Sequence, residues 1–220
     1  MTFDTAVVRG ALADALALAF PVDCAGCAQP GRALCAACVD AVAPSPRHRV
    51  LDDGLTVWSG LDYDGVAARA LRALKEEGRT ELAGALAPAL RVALAAVGEG
   101  NAGLRVVPVP TSRAAMRRRG YRVVDLLVRR AGVGTVPLLV SARRVADQRR
   151  LGREERAHNA EGSLRARSAA GMPVVIADDV VTTGATLSEA ARALTAAGAR
   201  VVGAVTVAAT ARRGFVRECA

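Results

Sequence analysis

Two stretches of this chain carry side chains whose types and spacing could do chemistry. The first is VVIADDVVTTGATL, residues 174–187, where an unbroken apolar run ends in two adjacent carboxylates and then threonines around a glycine. Four consecutive apolar residues without alternation describe a central parallel strand, apolar on both faces. That places Asp178 and Asp179 at its carboxyl end. The following loop offers hydroxyls from Thr182, Thr183 and Thr186, peptide N–H groups through Ala185, and the backbone freedom of Gly184. The periodicity of TLSEAARALTAAGA predicts a helix from about Thr186 to Ala197, stopped at Gly198. Its positive end faces the same spot, so the loop is read as a phosphate cradle. Neither GxxxxGK[ST] nor GxGxxG occurs, which excludes those two phosphate-binding patterns. A carboxylate pair would repel a phosphate placed directly on it, but it accepts hydrogen bonds from a diol well, with a magnesium ion nearby to balance charge. One small molecule with a phosphate and a vicinal diol is a ribose 5-phosphate.

The second stretch is CAGCAQPGRALCAAC, which places Cys24, Cys27, Cys35 and Cys38 as two CxxC pairs seven residues apart. Each pair can turn two thiolates toward one tetrahedral ion, so four cysteines complete a structural zinc site with no open position. The alternatives are two disulfides or buried thiols. Disulfides fit a reducing compartment poorly. Cys219, alone near the other end, reads as a spare thiol, and His48 and His158 take no assigned role.

A third concentration is TSRAAMRRRGYR, a loop after the buried strand RVVPVP of residues 105–110. Its Arg113, Arg117, Arg118, Arg119 and Arg122 make it an anion-binding candidate at the strand end where ligands of open α/β sheets bind. Composition agrees. The formal charge is +9, and Lys75 is the sole lysine among 30 basic residues, the rest being arginine. Guanidinium suits phosphate through bidentate hydrogen bonds, although an arginine-rich solvated surface would give the same total.

These groups need a frame. Alanine, valine and leucine must form most of the core, because the chain holds only one Trp, two Tyr and three Phe in 220 residues. A proline-containing linker, residues 43–49, precedes a pair of strands around LTVWSGLDY. DGVAARALRALKEEGR then has helical periodicity, with Val66, Ala70, Leu71 and Leu74 on one face. Lys75 and Arg79 lie just past that stripe, where they would offset the helix dipole. TELAGALAPALRVALAAVG is a second helix, with Thr80 as its cap and a kink at Pro88. VVDLLVRRAG is a helix closed by Gly132, VPLLV a short strand, and ARVVGAVTVAAT a further parallel strand. The polar segment of residues 143–164 reads as a mobile loop with a short helix. No apolar run approaches a membrane span by inspection, so no membrane insertion is expected. Asp4 and Asp14 interrupt the first twenty residues, which read as an amphipathic helix on a cytoplasmic protein.

The signature of residues 174–187 resembles the phosphoribosyl-pyrophosphate motif of type I phosphoribosyltransferases. With FPVDCAGC…CAAC, YDGVAARALRALKEEGR, VPVPTSRAAMRRRGY and DQRRLGREERAHNAEGSL, nearly the whole chain resembles the ComF family. The resemblance implies an α/β fold, a phosphoribosyltransferase-like parallel sheet flanked by helices over residues 49–220, after an N-terminal helix and a four-cysteine zinc module over residues 1–48. It implies that Asp178 and Asp179 hold the ribose hydroxyls as catalytic carboxylates. Thr182, Thr183, Gly184, Ala185 and Thr186 would hold the 5-phosphate, and Arg113 and Arg119 would face the pyrophosphate, with magnesium. The chain departs from the family at Arg122-Val123, commonly Asn-Gln, and at Val145, often Thr, while keeping Gln148. Three functions follow as expectations: a transferase with an unread acceptor, an accessory protein of DNA uptake that binds single-stranded DNA or a competence helicase, or a ligand sensor without turnover.

Overall fold

The computed structural model describes residues 22–98, 100–142, 162–211 and 216–217. The expected N-terminal helix, the segment 143–161, His158 and Cys219 lie outside these residues.

The apolar runs form one mostly parallel sheet. Its strands are β1 (Arg47–Val50), β2 (Thr56–Asp62), β3 (Arg105–Pro108), β6 (Pro173–Val181), β7 (Arg200–Ala209) and β8 (Val216–Arg217). Their order is β3-β6-β7-β2-β1-β8. β3, β6, β7 and β2 run parallel, and β1 and β8 join antiparallel at one end. As expected for the central member of such a sheet, β6 is buried over Val174–Ala177. It continues to Val181, however, so Asp178 and Asp179 lie within the strand. A second, two-stranded antiparallel sheet pairs β4 (Leu139–Ser141) with β5 (Leu164–Ala166). VPLLV therefore contributes a strand outside the main sheet.

Helices cover both faces. On one side are α1 (Ala36–Asp40), α2 (Gly65–Glu76), α3 (Ala83–Gly98) and α5 (Val123–Arg130), sharing a core with Val175, Ala177, Val205 and Val207. On the other, α6 (Ala185–Ala196) packs Leu187, Ala190 and Leu194 against Val57, Val174, Ile176 and Ala204. The remaining helix, α4 (Arg113–Arg119), follows β3. These are the three layers expected of an α/β domain with a parallel sheet.

The structure corrects several local expectations. The linker of residues 43–49 contains most of β1, whose Arg47 is buried and ion-paired with Asp62. Its charges made it look solvated, but the sheet pairs them. Thr80 caps nothing with its side chain; Thr80–Leu82 is a 3-10 turn after Arg79, and α3 begins at Ala83. By length and composition Thr80–Gly98 is apolar enough to cross a membrane, with mean hydropathy 1.4, a longer apolar stretch than expected from the sequence. The fold instead buries Ala83, Leu86, Leu90, Ala93 and Val97 of this stretch within the core. Just past Pro88, α3 crosses β2 at Gly60, where an added Cβ would lie 2.1 Å from the Ala89 carbonyl oxygen. Only glycine permits that approach.

Candidate functional site

The two carboxylates lie near the carboxyl end of β6. Asp179 turns toward α2, on the side where Val175 and Ala177 pack. Val180 packs against that same core and Val181 in the one beneath α6, so strict alternation does not carry through the pair. Asp179 is buried, and its Oδ1 accepts a 3.0 Å hydrogen bond from Lys75 Nζ at the last turn of α2. Asp178 Oδ1 accepts the Asp179 N–H at 2.8 Å. Burial, and then the neighbouring Asp179 charge, push the Asp178 carboxyl up to about 7, against the opposing pull of that N–H and Lys75.

Beyond β6 the loop is shaped by residues far away in sequence. Gly184 takes a left-handed φ of 92° and opens α6 without a side-chain cap. A Cβ there would meet Leu51 Cδ1 at 2.6 Å. Arg49 of β1, itself buried, donates from Nη2 to the Thr182 carbonyl at 2.7 Å. Thr183 Oγ1 accepts the Ala185 N–H at 3.3 Å, and Thr182, Thr183 and Thr186 are exposed. The loop thus presents hydroxyls and an uncapped helix start to solvent, braced from behind. Gly184→Ala is expected to lower stability by about 1–2 kcal/mol, set by the positive φ more than by Leu51, whose side chain can rotate. Thermal melting reads the loss, and an unchanged melting temperature would show that the loop has another conformation open to it.

The arginine-rich stretch is the helix α4, not a loop. Ser112 Oγ caps it by accepting the Ala115 N–H at 3.2 Å, and Gly120 ends it at φ 75°. Arg113 and Arg119 consequently sit at opposite ends. Arg118 and Arg119 line a cavity of about 570 Å³ with Lys75, Glu76, Glu77 and Gly78; Arg113 does not. Arg119 Nε is buried without a hydrogen-bond partner among the described residues. Tyr121, next to this turn, donates its hydroxyl to the Leu74 carbonyl of α2.

Sequence reasoning therefore missed Lys75 and Arg49. Lys75 had a sufficient local explanation at a helix end. Its partner is 104 positions away, and the one available signal was its being the sole lysine. Arg49 gave none, lying in an apparent linker.

The four cysteine sulfurs lie within 4.8 Å of one another, with Cys27 and Cys35 Sγ 3.6 Å apart. A tetrahedral ion with Zn–S bonds of about 2.3 Å requires sulfurs about 3.8 Å apart, so the residues fit zinc. Cys24 Sγ accepts the Cys35 N–H at 3.3 Å and the Gly26 N–H at 3.4 Å. Burial raises the Cys24 thiol, yet these and the Cys27 backbone contact outweigh it and bring it to about 6. A sulfur so placed is ready to ligate a cation. All four cysteines are free of disulfides.

Residues 114–218, just under half of the chain, match the family model of the phosphoribosyl transferase domain. The match takes in Asp178, Asp179, the 182–186 loop and Arg119. No curated protein matches the chain in sequence. Among solved structures, an adenine phosphoribosyltransferase is similar at 17% identity and a TM-score of 0.41, over 78% of this chain and 89% of its own. Adenine phosphoribosyltransferase from Saccharomyces cerevisiae, complexed with D-2,5-dideoxy-2,5-imino-altritol 1,6-bisphosphate and adenine, is similar at 16% identity and a TM-score of 0.41, over 80% and 89%. The chain has the α/β fold expected from its sequence, a mostly parallel sheet flanked by helices, with an N-terminal cysteine cluster able to hold zinc.

Proposed function

We propose that the protein binds phosphoribosyl pyrophosphate with magnesium and transfers its phosphoribosyl group. The observation that carries this reading is the continuity made by Lys75. It bonds Asp179 at the end of β6 and also lines the arginine cavity, while the same strand runs directly into the 182–186 loop. One ligand with a phosphate, a diol and a diphosphate would use all three. Thr182, Thr183, Gly184, Ala185 and Thr186 would receive the 5-phosphate, Asp178 and Asp179 the ribose hydroxyls, and Lys75, Arg118 and Arg119 the diphosphate. Arg113, at the far end of α4, would reach the diphosphate only from outside this cavity. Magnesium, once bound, supplies charge neutralisation on the diphosphate.

In transfer, the bond between ribose C1 and the diphosphate oxygen breaks and its electron pair leaves with pyrophosphate. The acceptor's lone pair forms the new bond at C1, and its proton passes to solvent. Lys75, Arg118 and Arg119 of the cavity stabilise the departing charge, and the carboxylates steady the positive charge that grows on the ribose. The test is pyrophosphate release from magnesium phosphoribosyl pyrophosphate across a panel of nucleobases and small amines. Release with one acceptor supports transfer. Tight binding without release from any of them would make the protein a sensor.

Joined to the cysteine cluster, this domain reads as ComF-type, and the disulfide-free cysteines favour a cytoplasmic setting. A nucleic-acid role in DNA uptake is the second reading, favoured by the exposed Arg113, Arg117 and Arg118 on α4. A steep fall in single-stranded DNA affinity with salt is its expected mark.

A further inference from the structure

The contacts around the cysteine cluster lead away from it, into the helix that carries Lys75. Arg69 Nε, on α2, donates at 2.6 Å to the carbonyl of Gly26, inside the first CxxC turn. Arg79 Nη2, just past the end of α2, donates at 3.4 Å to the carbonyl of Ala33, before the second pair. The same carbonyl accepts the Ala25 N–H at 2.9 Å, which ties the two cysteine turns together. Lys75 lies between these struts. Packing leaves little slack, because a Cβ on Gly26 would stand 2.5 Å from Cys38 Sγ and 2.9 Å from Val66 Cγ1 of α2. Cys24 and Cys38 are buried in one continuous core with Ala70, Leu71 and Leu74. Backbone hydrogen bonds from the Cys24 N–H to the Gln29 carbonyl and from the Ala28 N–H to the Cys24 carbonyl, both 2.8 Å, close the first turn, whereas the second pair opens a short helix. α1 is a five-residue helix without a side-chain cap, and Asp23 and Pro30 meet in a single isolated bridge. The four sulfurs, within 4.8 Å of one another, bring both turns to one point, where a bound ion would lock them together.

We propose that metal bound by Cys24, Cys27, Cys35 and Cys38 sets the position of Lys75. The ion fixes the Gly26 and Ala33 carbonyls, Arg69 and Arg79 transmit that to α2, and the helix holds the Lys75–Asp179 ion pair at the mouth of the arginine cavity. Loss of the metal releases the ion pair, so the cysteine cluster is a switch on the cavity as well as a brace. Arg69 and Arg79 are positioning residues in this scheme. Its consequence for ligand affinity rests on the phosphoribosyl reading above, but the coupling itself does not. By linkage, a ligand that needs Lys75 in place also tightens metal binding by the factor the metal tightens its own.

The sole lysine makes the coupling directly measurable. Full-length chain labelled with carbon-13 and nitrogen-15 at lysine gives one side-chain signal, that of Lys75, and Asp179→Asn supplies the reference for a released amine. The zinc-loaded protein is expected to show a signal distinct from that reference. Chelation should move it most of the way to the reference, and reloading should restore it. Arg69→Ala, with one zinc per chain retained, is expected to move the signal in the same direction. This second variant keeps the test decisive if chelation unfolds the chain. A Lys75 signal unchanged in zinc-loaded Arg69→Ala, or unchanged by chelation of protein that stays folded, would overturn the proposal. The signal needs no ligand, so it answers whether or not phosphoribosyl pyrophosphate binds.

Discussion

Cys38→Ser is expected to lose the metal and to melt at least about 10 °C below the native protein. Cys38 is 4% exposed and belongs to the same core as α2 and α3, so its loss is felt beyond the cysteine turns. Structural zinc contributes apparent binding energies of about 10–16 kcal/mol in finger peptides near neutral pH. Part of that is spent ordering the turns. Even a net loss of about 5 kcal/mol would be a large share of ordinary domain stability. In a chain of this length it corresponds to about 10–20 °C. Metal content by mass spectrometry and thermal melting decide the matter together. Native protein that carries no zinc, with Cys38→Ser melting within a degree or two of it, would mean that these cysteines are buried thiols and no metal site, while a Cys38→Ser protein that keeps one zinc per chain would remove Cys38 from the ligand set.

Asp178→Asn should change the pH dependence of stability by the next largest amount. The folded carboxyl titrates near 7, against an ordinary value of 3.8, because burial and the adjacent Asp179 charge oppose its ionisation. A raised acid holds its proton in the folded chain through a range where the unfolded chain has released it. Folding therefore weakens as pH rises from about 4 to about 7, and stays weakened above that. Three pH units correspond to a ceiling of roughly 4 kcal/mol. The amide has no proton to lose, so the variant should match native at low pH and exceed it above pH 7. Melts of both proteins near pH 5 and near pH 8 read this difference. Parallel pH profiles would show that the Asp178 carboxyl is not raised in the folded chain. The same proton links to function, since a carboxylate that receives the ribose hydroxyls must first ionise. Native ligand affinity is expected to rise with pH up to about 7, with proton release on binding.

Sequence reading succeeded where one physical rule governs a whole segment. The run Val174–Ala177 had to be a buried parallel strand, and the helix after it followed from its own periodicity and from Gly198. The two CxxC turns were legible because tetrahedral ligation constrains spacing. It failed where the deciding partner is remote. Arg47 and Arg49 looked like linker charges because Asp62 and the Thr182 carbonyl, which satisfy them, come from other elements. Lys75 looked like a dipole counter-charge for the same reason. The adjacent aspartates read as one acidic pair beyond the strand until β6 proved to run through them, with Asp179 committed to Lys75 of α2. Arg113 and Arg119 read as equivalent until a helix placed them at opposite ends of itself.

The central claim is that β6 and its loop hold a phosphoribosyl diphosphate, and calorimetric titration with phosphoribosyl pyrophosphate tests it most directly. Zinc-loaded native protein is expected to bind only when magnesium is present. The Asp178→Asn/Asp179→Asn double variant, shown to be folded, should lose at least about a hundredfold in affinity, on the scale of two charged hydrogen-bond partners. Equal binding by the two proteins, or none by the native chain with its metal in place, would contradict the assignment.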